Sequence, residues 1–294
     1  MRKRIYHFSK NNVDEGKELL DLLGGKGLGL AKMCRLGLPI PPGFTIVTEM
    51  CKHFFERGNR LDSKFLEELD DAINQLETET DKKFGSNENP LLVSVRSGAK
   101  VSMPGMMDTV LNIGLNDETI QGLIAESGDE RFAYDAYRRL VMMYADVVIE
   151  KAGGMEPAKG IGIRKIMDER LEEVKKEKGV ELDTDLSADD LKKLVKEFKA
   201  LTKKHLKQDF PETPWDQLMG GVGAVFASWN GKRAIEYRRI ENIPDEWGTA
   251  VNVQAMVFGN MGDSSCTGVA FTRNPGNGEN KFYGEYLVNA QGED

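Results

Sequence analysis

The chain has 294 residues, 40% of them hydrophobic and 30% charged, with a formal net charge of −8. That length allows one large domain or two to three small ones with a sizeable core, and the acidic balance argues against nucleic acid or an anionic membrane as the main partner. No apolar run approaches a membrane-spanning length, and the basic start from Met1 to His7 lacks the apolar stretch of a secretory signal. Three scattered cysteines (Cys34, Cys51, Cys266) read as reduced thiols of a cytoplasmic protein, and three dispersed histidines (His7, His53, His205) do not suggest a zinc site.

Ile5 to Phe8 reads as a strand, followed by a polar turn. Residues 22–37 run Leu-Leu-Gly-Gly-Lys-Gly-Leu-Gly-Leu-Ala-Lys-Met-Cys-Arg-Leu-Gly. The glycines are expected to open a helix with Leu28, Ala31, Met33 and Leu36 on its apolar face and Gly37 as its C-terminal cap. Lys26 then sits in a glycine-rich turn at a helix N-terminus, where free N–H groups and the helix dipole favour an anion. Neither a P-loop nor a Gly-x-Gly-x-x-Gly pattern is present, and a solvated lysine in an ordinary glycine turn is the plainer alternative.

Leu38 to Val47, with Pro39, Pro41, Pro42 and Gly43, reads as an extended bend entering a strand at Phe44–Val47. Residues 62–79 form an amphipathic helix with Phe65, Leu66, Leu69, Ile73 and Leu76 on one face. Leu91 to Val95 is a short apolar strand that delivers Arg96 at its end. A loop of small residues follows (Ser97, Gly98, Ser102, Pro104, Gly105), then a second strand, Thr109–Ile113. A strand fixes the Cα of Arg96, its guanidinium fork matches phosphate oxygens, and small loop residues let backbone N–H groups approach the same anion. An arginine in a surface ion pair beside a hairpin explains this stretch alone equally well.

Residues 117–126 and 130–150 are helical, the second with Phe132, Leu140, Val141, Tyr144, Val147 and Val148 as its core stripe. Of the adjacent Arg138 and Arg139, one could reach a phosphate, although such pairs usually extend into solvent. In residues 164–209, 25 of 46 side chains are charged, which makes this a peripheral helical hairpin with a solvated face. Ser187 is placed to cap its second helix. Residues 214–229 return to the core as a helix. The last segment is β-prone: Ala250–Phe258 with Gln254 inside it, a turn at Gly259–Ser265, then Thr267–Arg273 and Phe282–Ala290. Together they read as an antiparallel meander whose polar tip could close over phosphates.

A glycine-turn lysine, a strand arginine and a polar hairpin can converge on one polyphosphate. The fold class expected is α/β (α+β), an ATP-grasp-like arrangement of two subdomains with a peripheral charged helical hairpin. The division expected is 1–115 for the first subdomain with the lysine and arginine loops, 116–210 for the helical segment, and 211–294 for the second subdomain.

Further stretches carry a family resemblance: Leu23-Gly24-Gly25-Lys26-Gly27, Pro39-Ile40-Pro41-Pro42-Gly43-Phe44-Thr45, Ser94-Val95-Arg96-Ser97-Gly98-Ala99, Ser102-Met103-Pro104-Gly105-Met106-Met107-Asp108-Thr109, Arg131-Phe132-Ala133-Tyr134-Asp135, Trp247-Gly248-Thr249-Ala250-Val251, Val257-Phe258-Gly259-Asn260, Phe271-Thr272-Arg273-Asn274-Pro275 and Asn289-Ala290-Gln291-Gly292-Glu293-Asp294. Across nearly its whole length the chain resembles the N-terminal nucleotide-binding portion of the pyruvate, phosphate dikinase family. Phosphoenolpyruvate synthase and rifampin phosphotransferase, which are related, differ at the Ser102–Thr109 loop. The resemblance implies an ATP-grasp phosphotransferase that splits ATP with Mg²⁺, passing the β-phosphoryl to a histidine on a separate domain and the γ-phosphoryl to inorganic phosphate. A third domain then interconverts pyruvate and phosphoenolpyruvate. It implies polyphosphate contacts at Lys26 and Arg96, pocket-lining roles for Gly105 and Thr109, a weaker phosphate contact at Arg139, and a place at the adenine hinge for Gln254. It implies AMP and pyrophosphate among the ligands and a homodimer for the full-length protein.

None of His7, His53 or His205 fits the family's phosphorylated Thr-Ser-His context, and its Mg²⁺-holding acidic residues would fall beyond Asp294, so no metal ligand is expected here. The expectation is a shortened piece that cannot complete the overall reaction alone. A nucleotide-binding module without catalysis, a phosphoenolpyruvate synthase-like kinase fragment, and an interaction protein docking through the 164–209 hairpin remain open.

Overall fold

The computed structural model describes residues 3–10, 13–14, 19–157 and 160–292. Asn11, Asn12 and Glu15 of the polar turn expected after the first strand lie outside these residues, as do Glu293 and Asp294. Five strands form one antiparallel sheet: β1 (Ile5–Phe8), β2 (Gly43–Ile46), β3 (Val93–Gly98), β4 (Thr109–Ile113) and β5 (Ala250–Ala255), in the spatial order β1-β2-β5-β3-β4. Alternation on these strands, with a register shift between β3 and β4 that brings Val110 and Ile113 to the same face, buries Phe44, Ile46, Val93, Val95, Val110, Ile113, Val251 and Val253 completely. Each such side chain contributes about 1.5–3 kcal/mol of hydrophobic stabilisation.

The expected three-stranded meander gives way here to a different pairing. The strand at Ala250–Ala255 leaves its sequence neighbours and inserts between β2 and β3. Only β6 (Cys266–Phe271) and β7 (Tyr283–Val288) pair with each other, as a separate two-stranded ribbon.

Helix α1 (Leu19–Arg35) starts before the glycines and kinks at Gly24. Its buried face is Leu19, Leu22, Leu23, Gly27, Ala31 and Cys34, whereas Leu36, expected in the core, is 78% exposed. Helix α2 (Thr48–Glu56), which is not among the expected elements, follows β2. Helix α3 (Ser63–Thr80) is capped by the Asp62 carboxylate, which accepts from the Phe65 N–H at 2.9 Å. Its Leu66 is exposed. Helix α4 (Ile120–Ser127) precedes α5 (Glu130–Tyr144), whose chain continues through a π-helical stretch, Ala145–Ala152.

The charged hairpin forms as α6 (Ile163–Lys178) and α7 (Ala188–Leu206). Ser187 and Asp190 make a reciprocal capping box at the start of α7. The hairpin is less peripheral than its charge suggests: α7 packs along α5 with Leu191, Leu194, Val195 and Phe198 fully buried. Helix α8 (Pro214–Ser228) supports the sheet, with Gly221 against Val95 and Ile113. Helix α9 (Lys232–Glu241) then leads to β5.

Candidate nucleotide-phosphate site

The site begins at Gly24. Its φ of +65° is a left-handed conformation that favours glycine. A Cβ there would lie 1.7 Å from the Gly98 carbonyl oxygen. The next residue, Gly25, donates its N–H to the Ala99 carbonyl at 2.9 Å. The kink in α1 is thereby fastened to the end of β3. This N–H is already used, so the turn offers an incoming anion less free backbone than its sequence promised. Two residues further on, Gly27 packs within 3.0 Å of the Thr45 hydroxyl and the Asn252 amide, measured from a notional Cβ. The glycines let α1 approach the sheet closely and carry Lys26 to the strand ends.

Arg96 lies inside β3 rather than at its end. Ser97 and Gly98, expected to stop the strand, pair with Val251 and Ala250. In register, Thr45, Asn252, Arg96 and Thr109 form one row across β2, β5, β3 and β4. Asn252 approaches Gly27 of α1, so this row lies on the face that α1 covers, and Val95 points the other way, to α8.

A pocket of about 510 Å³ opens at this corner. Its wall comprises Gly25, Lys26, Ser97, Ala99, Val101, Ser102, Met103, Pro104, Gly105, Met107 and Thr109. Gly105 adopts φ +70° in the loop, where a side chain would be strained. Of the expected site residues, Lys26, Gly105 and Thr109 line the pocket, and Arg96 stands beside Thr109 in register. Gln254 does not reach the wall: it is 4% exposed and bonded to Arg96 and to the Pro41 carbonyl. Arg139 lies on α5 and is held by Asp135, 2.9 Å from Nε to Oδ2, away from the pocket wall.

Charge distinguishes this corner. Burial lowers the pKa of Lys26, and the Arg96 guanidinium lowers it further. Burial alone lowers that of Arg96. No carboxylate offsets either cation among the described residues, and the pocket wall carries no acidic side chain. The nearby Lys100 is by contrast paired with Asp21 at 2.8 Å and stacked on Trp247. Two partly desolvated cations with no carboxylate partner, beside a glycine-containing loop, have the chemistry that suits a polyanion.

Asp108, at the foot of the loop, is not among the expected site residues. Its carboxyl is pushed above its ordinary value by burial, with Lys151 and Arg233 acting against that shift. An acid immediately before a pocket-lining threonine was the available signal. No group of three or more His, Cys, Asp or Glu side chains is placed for a metal among the described residues.

A lysine of α1 on the pocket wall, an arginine of the sheet beside it and a glycine-containing loop make up an arrangement with the chemistry of a nucleotide-phosphate-binding class of protein. Residues 20–71 and 59–294 match the family described as pyruvate phosphate dikinase, AMP/ATP-binding domain, and the chain belongs to it. The mixed α/β, ATP-grasp-type architecture expected from the sequence is the fold of that family. The chain is 52% identical to pyruvate, phosphate dikinase of Clostridium symbiosum over 295 residues, covering 100% of this chain and 32% of the relative. It is 50% identical to the enzyme of Rhizobium meliloti (strain 1021), again covering 100% of this chain and 32% of the relative. It is also 50% identical to pyruvate, phosphate dikinase 1, chloroplastic, of Oryza sativa subsp. japonica, covering 100% of this chain and 30% of the relative. The chain thus spans about a third of the length of these relatives. No helix among the described residues is long and apolar enough to cross a membrane.

Proposed function

We propose that this chain is the ATP-binding part of a pyruvate, phosphate dikinase, a phosphotransferase. Lys26 and Arg96 bind the polyphosphate of ATP, and Gly105 and Thr109 line the pocket that receives it. The β-phosphoryl passes to a histidine on a separate domain and the γ-phosphoryl to inorganic phosphate. A further domain uses the phosphohistidine to interconvert pyruvate and phosphoenolpyruvate. In this chemistry the protein's main task is to hold and offset charge on the transferring phosphoryl oxygens, and two cations without a carboxylate partner suit that task. This pairing is the observation that carries the reading. Mg²⁺ accompanies ATP in the proposal, with its protein ligands drawn from outside residues 1–294. Residues 1–115 form the first subdomain, 116–210 the helical segment, and 211–294 contribute β5 to the first sheet before entering the second subdomain. The full-length protein is proposed to be a cytoplasmic homodimer.

Calorimetry of MgATP binding tests this reading, with Lys26→Ala and Arg96→Ala alongside. Each variant is expected to weaken binding by about tenfold or more, since each removes a charge-assisted contact. Parent-like affinity in both variants would refute the assignment. The pH profile adds a second check. Bound polyphosphate favours charged Lys26, so affinity is full below the lowered pKa of free Lys26 and declines as pH rises through it. The decline therefore begins below the ordinary lysine range, and Lys26→Arg removes it.

A further inference from the structure

Gln254 has both ends of its amide engaged. Its Oε1 accepts from Arg96 Nη2, and its Nε2 donates to the Pro41 carbonyl at 2.8 Å. The orientation is dictated by chemistry, because a guanidinium can only donate and a peptide carbonyl can only accept. The register explains the meeting. Asn252 is the direct partner of Arg96, and Gln254, two residues further along β5, lies diagonally across on the same face. The carbonyl that anchors Gln254 is itself fixed. Pro41 and Pro42 restrict the backbone, the Ala255 N–H donates to the Pro42 carbonyl at 2.9 Å, and a Cβ at Gly43 would meet the Val253 carbonyl at 2.4 Å. The Pro-Pro-Gly stretch thus holds a carbonyl that holds an amide that holds Arg96.

A carboxylate in place of this amide would bind the guanidinium more strongly, as a bidentate partner, but it would also cancel the charge. A neutral acceptor fixes the direction of the guanidinium and leaves its positive charge for a ligand. Arg96 Nε is buried without a hydrogen-bond partner, which keeps further donor capacity on the same group.

We infer that Gln254 is a positioning residue that aims Arg96 at the polyphosphate without neutralising it, rather than a contact to the nucleotide base. This rests on the proposed reading of Arg96 as a phosphate ligand.

The test is a double-mutant cycle in MgATP affinity with Gln254→Met, Arg96→Ala and the double variant, after matched unfolding midpoints confirm folding. Gln254→Met is expected to weaken binding about tenfold in the parent and less than about twofold in the Arg96→Ala background, because its effect passes through Arg96. A purely structural defect would persist in both backgrounds, and equal losses there would overturn the inference. Gln254→Glu is expected to weaken binding more than Gln254→Met does, and parent-like binding by either variant would also overturn it. If the parent itself binds no MgATP, the proposed function fails separately, and ligand-free crystal structures of parent and Gln254→Met decide the inference. A displaced or disordered Arg96 guanidinium in the variant upholds it, and an unmoved one overturns it.

Discussion

At the scale of single residues, the glycines of the Lys26 turn are set by distance as much as by conformation. Gly24 needs a positive φ and also lies where any side chain would enter the Gly98 carbonyl. No rotamer relieves that clash, because the obstructing atom is backbone. Gly24→Ala should therefore destabilise the fold by at least about 3 kcal/mol, read from urea unfolding. A loss under about 1 kcal/mol would mean that the kink and strand separate easily, and that they do not position Lys26. The glycine string was legible in the sequence as a place that presents a lysine. The buried face of its helix was legible only in part: Ala31 is buried and Leu28 packs against the core, but Leu36 is exposed. Pattern reading ranks apolar side chains and so favoured Leu28, Met33 and Leu36. The closest contacts with the sheet are made at Gly24 and Gly27, which have no side chain to rank.

At the scale of elements, charge density misled in a different way. The charge of the run 164–209 predicts a solvated hairpin, and its outer faces are solvated. Yet α7 lies along α5, and between that packing and the acidic turn sits a buried ionic cluster. Asp135 accepts from Arg138 Nη2 at 2.6 Å and from Arg139 Nε at 2.9 Å, and Arg138 also reaches Asp183 at 3.3 Å. Burial alone would raise the Asp135 carboxyl, but the Arg138 and Arg139 guanidiniums outweigh it and hold its pKa below the ordinary value. This ties Arg139 to the helix pair, not to the pocket. Asp135→Asn would leave Arg138 buried with only the more distant Asp183, at an expected cost of about 3 kcal/mol. A depressed carboxyl contributes stability above the ordinary aspartate range and loses it as pH falls through the folded value. Chemical unfolding between neutral and acid pH should thus show a steeper acid loss in the parent than in Asp135→Asn. Parallel curves would show that the cluster adds nothing to the helix packing. Strand β5 makes the complementary point. Its β propensity was evident, but its partners were not, because nothing within Ala250–Ala255 names β2 and β3 as its neighbours.

At the scale of the whole molecule, the two sheets differ in how they are held. The five-stranded sheet is covered by α1 on the Arg96 face and α8 on the other, and its central strand β5 is buried along almost its whole length. The ribbon of β6 and β7 is exposed on both faces, with Val269, Phe271, Tyr286 and Leu287 open to solvent. Its ties to the rest include the Ala290 N–H to Gly259 carbonyl bond at 3.0 Å and the Phe258 ring against Phe132 at 5.0 Å. A two-stranded ribbon without a packed face is marginal in water, so it should open far more often than the sheet does. Amide hydrogen exchange at Val269 and Tyr286 is expected to run at least about a thousandfold faster than at Val95, Val251 and Val253. Similar protection in both regions would mean that they unfold as one unit. The expected contrast bears on the site, because Lys26 and Arg96 stand on the slowly exchanging part. Ribbon opening would then leave the polyphosphate corner intact, and substitutions at Lys26, Arg96 and Gln254 could be read as changes in the pocket itself.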